Sequence, residues 1–578
     1  MLGVLLFFLF LFLAVRAHDE YRWSDWGFGD AQTMLSLRQW EEGGWLHNYL
    51  LFKPQGYARV IDLLDEPELR HHAHGTCPGS SPRVGPRLLY THYPAGYLVP
   101  YAVLFKLGID SLFSVRLLSI VFSIGALVLM YLVFARITSP RVSFVAVLFY
   151  ALTPSFLGYA DSLANQPIDD LLRFGFMFAV AMATRSDSER RQRHWMILAW
   201  ITEFCLSLTS FDSVFFIYAW LVGWDVIEKR GFRWKTYLLF ALAPISAHGL
   251  QFLQNAWYLG WSDAYIDIKD AFLLKNGADQ GYNTGQGRLS TIAISIVVLF
   301  ESLFKPGPLL VLIAAVYVFY TTVLRGKDRE LPTVKLLSVL FLCGLSFVLV
   351  LPHAARMPYE ARQMLPFASL LVSGMTWSLF MTFRKSLSVE PPPSSAPVEL
   401  PALWASMAYV FLTCGLLLVF WFAFVSANRW PVYDLGDRKA EMVFAQDLQK
   451  IRTRFEPVFF DVGGFMLYWD PTYVKGYPQI LPLTEYYTGS RPVLCFNEAE
   501  NAARDIATMA RRSPYRFSPV LISSDPQVIE RVFSFLEQQG MVKAAPRSIN
   551  TSMERYVLDL TDYLKWGGNE ADIDYRKL

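Results

Sequence analysis

Three groups of ionisable residues have types and spacings suited to chemistry. The first is Asp30, in Gly29-Asp30-Ala31-Gln32. The second is Asp161 with Asp169 and Asp170, in a segment that also holds Asn165 and Pro167. The third is His353, Arg356, Glu360 and Arg362, between Pro352 and Pro366. Carboxylates and arginines sharing one face suit a reaction in which a base activates a nucleophile while cations hold a phosphate. Arginine is the natural phosphate ligand because its planar fork meets two oxygens at once. Ionisable groups at membrane level are costly and mark functional sites by default. Plainer roles stand beside these. Asp30 precedes a helical pattern and suits an N-cap, and Asp161 could be a solvated turn residue. Asp169 and Asp170 follow Pro167 at a helix start, where acids complement the helix dipole. Arg356 and Arg362 could snorkel to headgroups.

The elements that must position these groups follow from composition. The chain has 578 residues, 53 % hydrophobic, 16 % aromatic and only 18 % charged, with a net charge of +2. That balance excludes a soluble, disordered or fibrous protein and gives no nucleic-acid footprint. Five scattered cysteines without a CxxC pair exclude a Cys-rich zinc site or a disulfide scaffold. What remains is an all-α polytopic membrane protein. Apolar runs of roughly 20 residues predict about 11 spans, near 2–16, 111–135, 142–159, 167–184, 195–211, 213–227, 236–256, 308–324, 335–352, 364–383 and 402–425. The first is the shortest, and Val15-Arg16-Ala17 also reads as a signal-peptide cleavage site.

Orientation follows the basic connectors. Arg136 to Arg141, Arg185 with Arg190, Arg191 and Arg193, Lys229 to Lys235, Arg325 to Lys335, and Arg384-Lys385 all fall on one side. That side is cytoplasmic if the first span runs outward, which places the three candidate groups and the C-terminus outside. Residues 1–428 are expected to form the membrane domain, with a large outer loop over 17–110. Within that loop Asp30 to Trp45 reads as a short helix closed by Gly43-Gly44, and 92–107 and 291–304 as interfacial segments. The glycine-rich stretch from Asn276 to Arg288 has the composition of a lid or a plain connector. Residues 429–578 are expected to form a soluble extracytoplasmic α/β domain with a largely parallel sheet. Its strands are expected at 457–461, 519–523 and 555–560 and its helices at 439–454, 498–512 and 526–539. It holds no nucleotide-binding glycine motif, and Asn550-Thr-Ser is a glycosylation sequon. His71, His72 and His74 beside Cys77 lack ligand-like spacing, so a solvated loop is the better reading.

The order of motifs is familiar. An acidic residue in the first outer loop precedes a helix ending Trp-Glu-Glu-Gly-Gly-Trp (40–45). Tyr90-Thr-His-Tyr-Pro94, an Arg116-Leu-Leu-Ser span, a Leu152-Thr-Pro-Ser-Phe-Leu-Gly-Tyr turn with acids, and Arg362-Gln-Met-Leu-Pro-Phe follow. Over roughly residues 1–385 this resembles the GT-C class of membrane glycosyltransferases, in the protein O-mannosyltransferase and aminoarabinose-transferase (ArnT-like) branch. The resemblance implies transfer of a sugar from a polyisoprenyl-phosphate carrier to an extracytoplasmic acceptor hydroxyl on a protein, glycan or glycolipid. It implies a multi-pass protein of the bacterial inner or plasma membrane, or of the endoplasmic reticulum in a eukaryote. Asp30 matches the family's first-loop acid and is expected to be the general base, although Ala31 stands where relatives often carry a second acid. Asp161 is the expected second catalytic acid. Arg362, with Arg356 and His353, matches the region that meets the carrier phosphate, while His92, Asp169 and Asp170 are expected to support substrate or structure. No cofactor is required, since a lipid phosphate is already a good leaving group. A divalent cation could bridge carboxylates and phosphate, though no ligand spacing demands one.

Two other readings are set against this one. A lipid-linked oligosaccharide transferase is less favoured because its Trp-Trp-Asp signature is missing; Gly223-Trp224-Asp225 falls on the cytoplasmic side. A transporter or flippase predicts acids midway along paired or broken spans, whereas only Glu203 sits inside one here.

Overall fold

A computed structural model describes residues 2–19, 28–46, 48–51, 89, 91, 93–276, 288–303, 315–316, 334–352 and 362–387 of the membrane-rich part. Beyond these it describes 458–461, 493–496, 499–512, 520–523, 525–542, 550–552, 555–560 and 564–565. The chain divides into two compact units. One comprises Met1–Asp19, Phe113–Gly249 and Phe272–Tyr433; the other comprises Glu20–Leu112, Leu250–Ala271 and Asp434–Leu578.

The first unit is a helical bundle. Its elements are α1 (Leu2–Ala17), α4 (Leu112–Ile137), α5 (Pro140–Ala151), α6 (Pro154–Tyr159), α7 (Gln166–Thr184), α8 (Glu189–Ser207) and α9 (Asp212–Ile227). The part of α10 (Trp234–Leu259) up to Gly249, then α12 (Arg288–Leu303), α13 (Val334–Val350) and α14 (Leu365–Leu387), belong to it. Among the described residues two helices, α4 and α10, are long and apolar enough to cross a bilayer by length and composition, and α1, α5, α13 and part of α14 are apolar but shorter. The expected spans 308–324 and 402–425 fall outside the described residues, apart from 315–316. The expected span 142–159 is two helices, not one. α5 ends at Ala151 with Leu152 as its C-cap, and Thr153 caps α6, its Oγ1 accepting from the Phe156 amide at 3.2 Å, with Pro154 opening α6. Proline suits the first turn of a helix, where its missing N–H has no partner to lose.

Packing in the bundle pairs α7 with α8, α9 with α13, and α5 with α14. A single apolar core runs from Leu9, Leu13 and Ala17 of α1 through Met130, Phe134, Tyr150, Phe174, Trp220 and Phe347 to Leu371 and Met375. One approach is tight enough to require glycine. A Cβ on Gly344 of α13 would stand 2.8 Å from the Gln363 carbonyl and 2.9 Å from Met364 Cα.

The second unit holds α2 (Phe28–Gly43), α3 (Leu98–Lys106), the C-terminal end of α10 from Leu250, most of α11 (Trp261–Asn276) and a small α/β domain. Ala31, Met34, Leu35, Leu37 and Trp40 bury one side of α2, which packs on α3. The helix ends at Gly44, whose φ of +86° is a conformation that suits glycine. The interfacial stretches expected at 92–107 and 291–304 correspond to α3 and α12. The lid-like stretch 277–287 lies outside the described residues.

The α/β domain has five strands: β1 (Val458–Asp461), β2 (Val493–Phe496), β3 (Val520–Ser523), β4 (Asn550–Ser552) and β5 (Arg555–Asp559). Their order is β2-β1-β3-β5-β4. β1 pairs in parallel with β2 and β3, while β5 runs antiparallel to both β3 and β4, so the sheet is mixed where a largely parallel one was expected. The short connection from β4 to β5 permits only a hairpin, whereas parallel neighbours need a crossover helix. α15 (Ala499–Arg512) and α16 (Pro526–Gln538) provide the helical layer, and Ile506, Ile529, Val532, Leu536 and Leu558 form its core. The sequon Asn550-Thr551-Ser552 is the edge strand β4 itself. The helix expected at 439–454 lies outside the described residues.

Candidate functional site

The most densely charged place in the bundle is where α7 begins. Asn165-Gln166-Pro167 opens the helix, and its next turn carries Asp169, Asp170 and Arg173. Asp169 lies in the first turn, where the sequence predicts an acid that complements the helix dipole, and side-chain donors take the oxygens of both carboxylates. Asp169 accepts from Thr209 at 2.6 Å and from Ser213 at 3.4 Å. Asp170 accepts from Arg173 at 3.1 Å, from the Tyr150 hydroxyl at 2.7 Å, and from Arg362. Asp170 is fully buried and Arg362 is 2 % exposed. Arg362 therefore does not snorkel.

These residues line a small pocket with Asn165, Gln166, Ser210 and Gln363. Its polar capacity is only partly used. Arg362 donates through Nη2, leaving Nε and Nη1 buried with no partner; Arg173 Nε and Gln166 Oε1 are in the same state. Buried polar groups are normally paired, and each left unpaired costs about 1–3 kcal/mol. Burial opposes the charge on Arg362, but Asp170 outweighs it and holds the guanidinium above its ordinary pKa. The result is a permanent cation with free donors facing a cavity, an arrangement that accepts an oxyanion.

Asp161 stands elsewhere in the bundle. Arg16 of α1 grips it with two donors, Nε at 2.7 Å and Nη2, and both side chains are buried. Asp161 is thus an ion-paired residue and not a solvated turn. Arg116 fixes the end of the same helix by donating to the carbonyls of Ala17 at 3.3 Å and Asp19 at 3.1 Å.

Asp30 belongs to the second unit. It is the third residue of α2, 1 % exposed, so it occupies the first turn and not the N-cap position expected of it. The helix it stands on is braced beyond its end. Trp40 Nε1 donates to the Leu51 carbonyl at 2.7 Å, and Asn48 donates to Gln39 at 2.9 Å. Tyr49 and Leu50 adopt φ of 53° and 55°, and their carbonyls are held by Gln254 of α10 at 2.9 and 2.6 Å. Asn255 and Gln251 of the same helix hold the Thr91 carbonyl, and Thr91 in turn donates to Asp267 at 2.5 Å.

His92, His353, Arg356 and Glu360 lie outside the described residues, as do His71, His72, His74 and Cys77. Among the described residues no group of three or more His, Cys, Asp or Glu side chains is placed to hold a metal. The pocket around Arg362 mixes two cations with its two carboxylates, a donor set that does not fit a divalent ion. Sequence reading missed Arg173, Arg16, Tyr150 and Thr209. The signal for Arg173 was present, since it lies three residues after Asp170 on a helix and so must share its face.

Comparison with known proteins bears on the fold. A sequence model of the dolichyl-phosphate-mannose-protein mannosyltransferase family matches residues 95–249. No curated protein sequence matches the chain. Among solved structures, ArnT from Cupriavidus metallidurans in the apo state aligns with a TM-score of 0.50 at 12 % identity, over 97 % of this chain and 98 % of that one. The same enzyme bound to undecaprenyl phosphate aligns at 0.47 and 11 % identity, over 95 % and 97 %. The oligosaccharyltransferase of Archaeoglobus fulgidus in the apo form aligns at 0.44 and 12 %, over 91 % and 71 %. In its mannosyltransferase-like segment and in a fold shared with ArnT, the chain resembles the GT-C class of membrane glycosyltransferases.

Proposed function

We propose that this chain is a multi-pass membrane glycosyltransferase that takes a sugar from a polyisoprenyl-phosphate carrier and passes it to an acceptor hydroxyl on the extracytoplasmic side. The observation that carries the reading is Arg362, buried in a pocket with two N–H donors lacking a partner. An oxyanion satisfies such donors better than any neutral group. The family match supports a phosphate-linked sugar donor, as its name describes one.

In this mechanism the acceptor oxygen attacks the anomeric carbon and forms the new glycosidic bond. The bond from that carbon to the phosphate oxygen breaks, and its electron pair leaves with the lipid phosphate. Arg362 stabilises the charge that develops there, with Arg356 and His353 assigned to the same phosphate. Asp30 takes the acceptor proton as the bond forms. Asp161, engaged by Arg16, is assigned a supporting role, since its oxygens are turned to a guanidinium and not to an acceptor. His92 is assigned to the acceptor side. No step needs a metal or cofactor.

The test uses the purified full-length protein in detergent with a panel of radiolabelled polyprenyl-phosphate sugars. Label is expected to leave the lipid fraction for at least one sugar when acceptor is supplied. If no sugar is released from any carrier, yet the protein moves the intact lipid across liposomes, the enzyme reading fails and a flippase replaces it.

A further inference from the structure

The pocket at the start of α7 holds a second guanidinium arranged like the first. Arg173 spends Nη1 on Asp170 at 3.1 Å and Nη2 on Ser213 at 3.1 Å, which leaves Nε buried with no partner. Its plane lies over the Phe216 ring at 5.2 Å, while Arg362 lies over Tyr159 at 5.8 Å. Both guanidiniums are thus fixed by stacking and by one shared carboxylate. Asp170 gives Oδ1 to Arg173 and Oδ2 to Arg362, and the Tyr150 hydroxyl donates to that same Oδ2 at 2.7 Å. Asp170 is shared by the two cations, while Asp169, the pocket's second carboxylate, is held by Thr209 and Ser213, and both guanidiniums line the pocket with them. Three N–H groups are left over: Arg173 Nε, Arg362 Nε and Arg362 Nη1.

We propose that Arg173 is a second phosphate-binding residue beside Arg362, and that Asp170 and Tyr150 are the positioning residues that set the two guanidiniums for one phosphate group. The inference rests on the glycosyltransferase reading for the identity of its ligand, a lipid-borne phosphate monoester or diester. The paired placement stands on the geometry alone. Arginine is suited to both positions because a guanidinium can commit one edge to protein and offer another to ligand, which an ammonium group cannot do.

The experiment measures binding of polyprenyl phosphate to the full-length protein in detergent by calorimetry, together with KM and kcat for the sugar donor. The deciding variant is Arg173→Gln, which leaves Asp170 paired with Arg362 and the Tyr150 hydroxyl. Once shown to be folded by thermal unfolding, it is expected to weaken polyprenyl phosphate binding about 10- to 100-fold, the loss of one or two charge-assisted contacts. Arg173→Lys is expected to recover part of that loss. Tyr150→Phe is expected to raise KM for the donor about 3- to 10-fold with kcat nearly unchanged, a split that a purely structural role would not produce. Inorganic phosphate is expected to compete with the lipid in the wild type and to lose that ability in Arg173→Gln. A folded Arg173→Gln protein with wild-type affinity, beside an Arg362→Gln variant that has lost it, overturns the role of Arg173 and leaves the glycosyltransferase reading intact. If neither variant changes lipid affinity, the pocket is a structural ion cluster and both readings fail.

Discussion

Gly344→Ala probes how the bundle holds Arg362. The added Cβ would lie 2.8 Å from the Gln363 carbonyl oxygen and 2.9 Å from Met364 Cα. An ordinary carbon–oxygen contact is about 3.3–3.6 Å, so the segment carrying residues 363 and 364 must move by about half an ångström or α13 must tilt. Two of the three nearest atoms are backbone, so no rotamer change relieves both contacts. Overpacking of this kind costs about 1–3 kcal/mol. Arg362 is the residue immediately before that segment and must move with it. A misplacement of about 1 Å at a reacting site can cost roughly 100-fold in rate, so about 10-fold in kcat/KM is expected for half that shift. The control is Gly223→Ala, whose Cβ would have side-chain atoms of Val339 as its three nearest neighbours and no backbone among them. It should destabilise comparably but leave donor KM near wild type. Thermal unfolding and steady-state kinetics on both variants check the reasoning. A folded Gly344→Ala protein with wild-type kinetics would show that the 362–364 segment does not position the reacting group.

Other outcomes follow from the packing. Arg16→Met should destabilise the bundle by about 3–5 kcal/mol because it leaves Asp161 as an uncompensated buried charge, and pairing it with Asp161→Leu should restore most of that loss; a double-mutant cycle on melting temperature checks both. Because α1 contributes Leu9, Leu13 and Ala17 to the core and Arg16 to this pair, intact mass is expected to show residues 1–17 retained in the folded protein. Gln254→Ala should release the strained Tyr49-Leu50 turn, so proteolysis within residues 44–51 should rise while the melting temperature of the bundle changes little.

Much of the architecture is legible in one dimension because it is local. The apolar runs, the glycine after α2, the helical periods of α15 and α16, and the strands at β1, β3 and β5 all announce themselves over a few residues. The break between α5 and α6 was hidden by a continuous apolar run, although Thr153-Pro154 carries both a cap and a helix start. β2 and β4 are short strands without alternation. Asp30 begins one helical turn deeper than its sequence suggests, since helix starts are blurred by a residue or two. The site was legible in its parts and not in its partnerships. Asp170 and Arg362 were both picked out, but they are 192 positions apart, and Arg16 and Asp161 are 145 apart. No spacing rule reaches that far. Arg16 ends the first apolar run in a small-residue pattern that suits a span end or a cleavage site, and neither pattern points to a partner 145 positions away.

The central proposal is that Asp30 is the general base of a sugar transfer. Its most direct measurement is Asp30→Asn in the full-length protein, assayed for polyprenyl phosphate affinity and for sugar release under single-turnover conditions. The account predicts lipid affinity within about twofold of wild type, and a transfer rate lower by about 10²- to 10⁴-fold, the usual contribution of a general base. A folded Asp30→Asn protein that transfers sugar at the wild-type rate would contradict it.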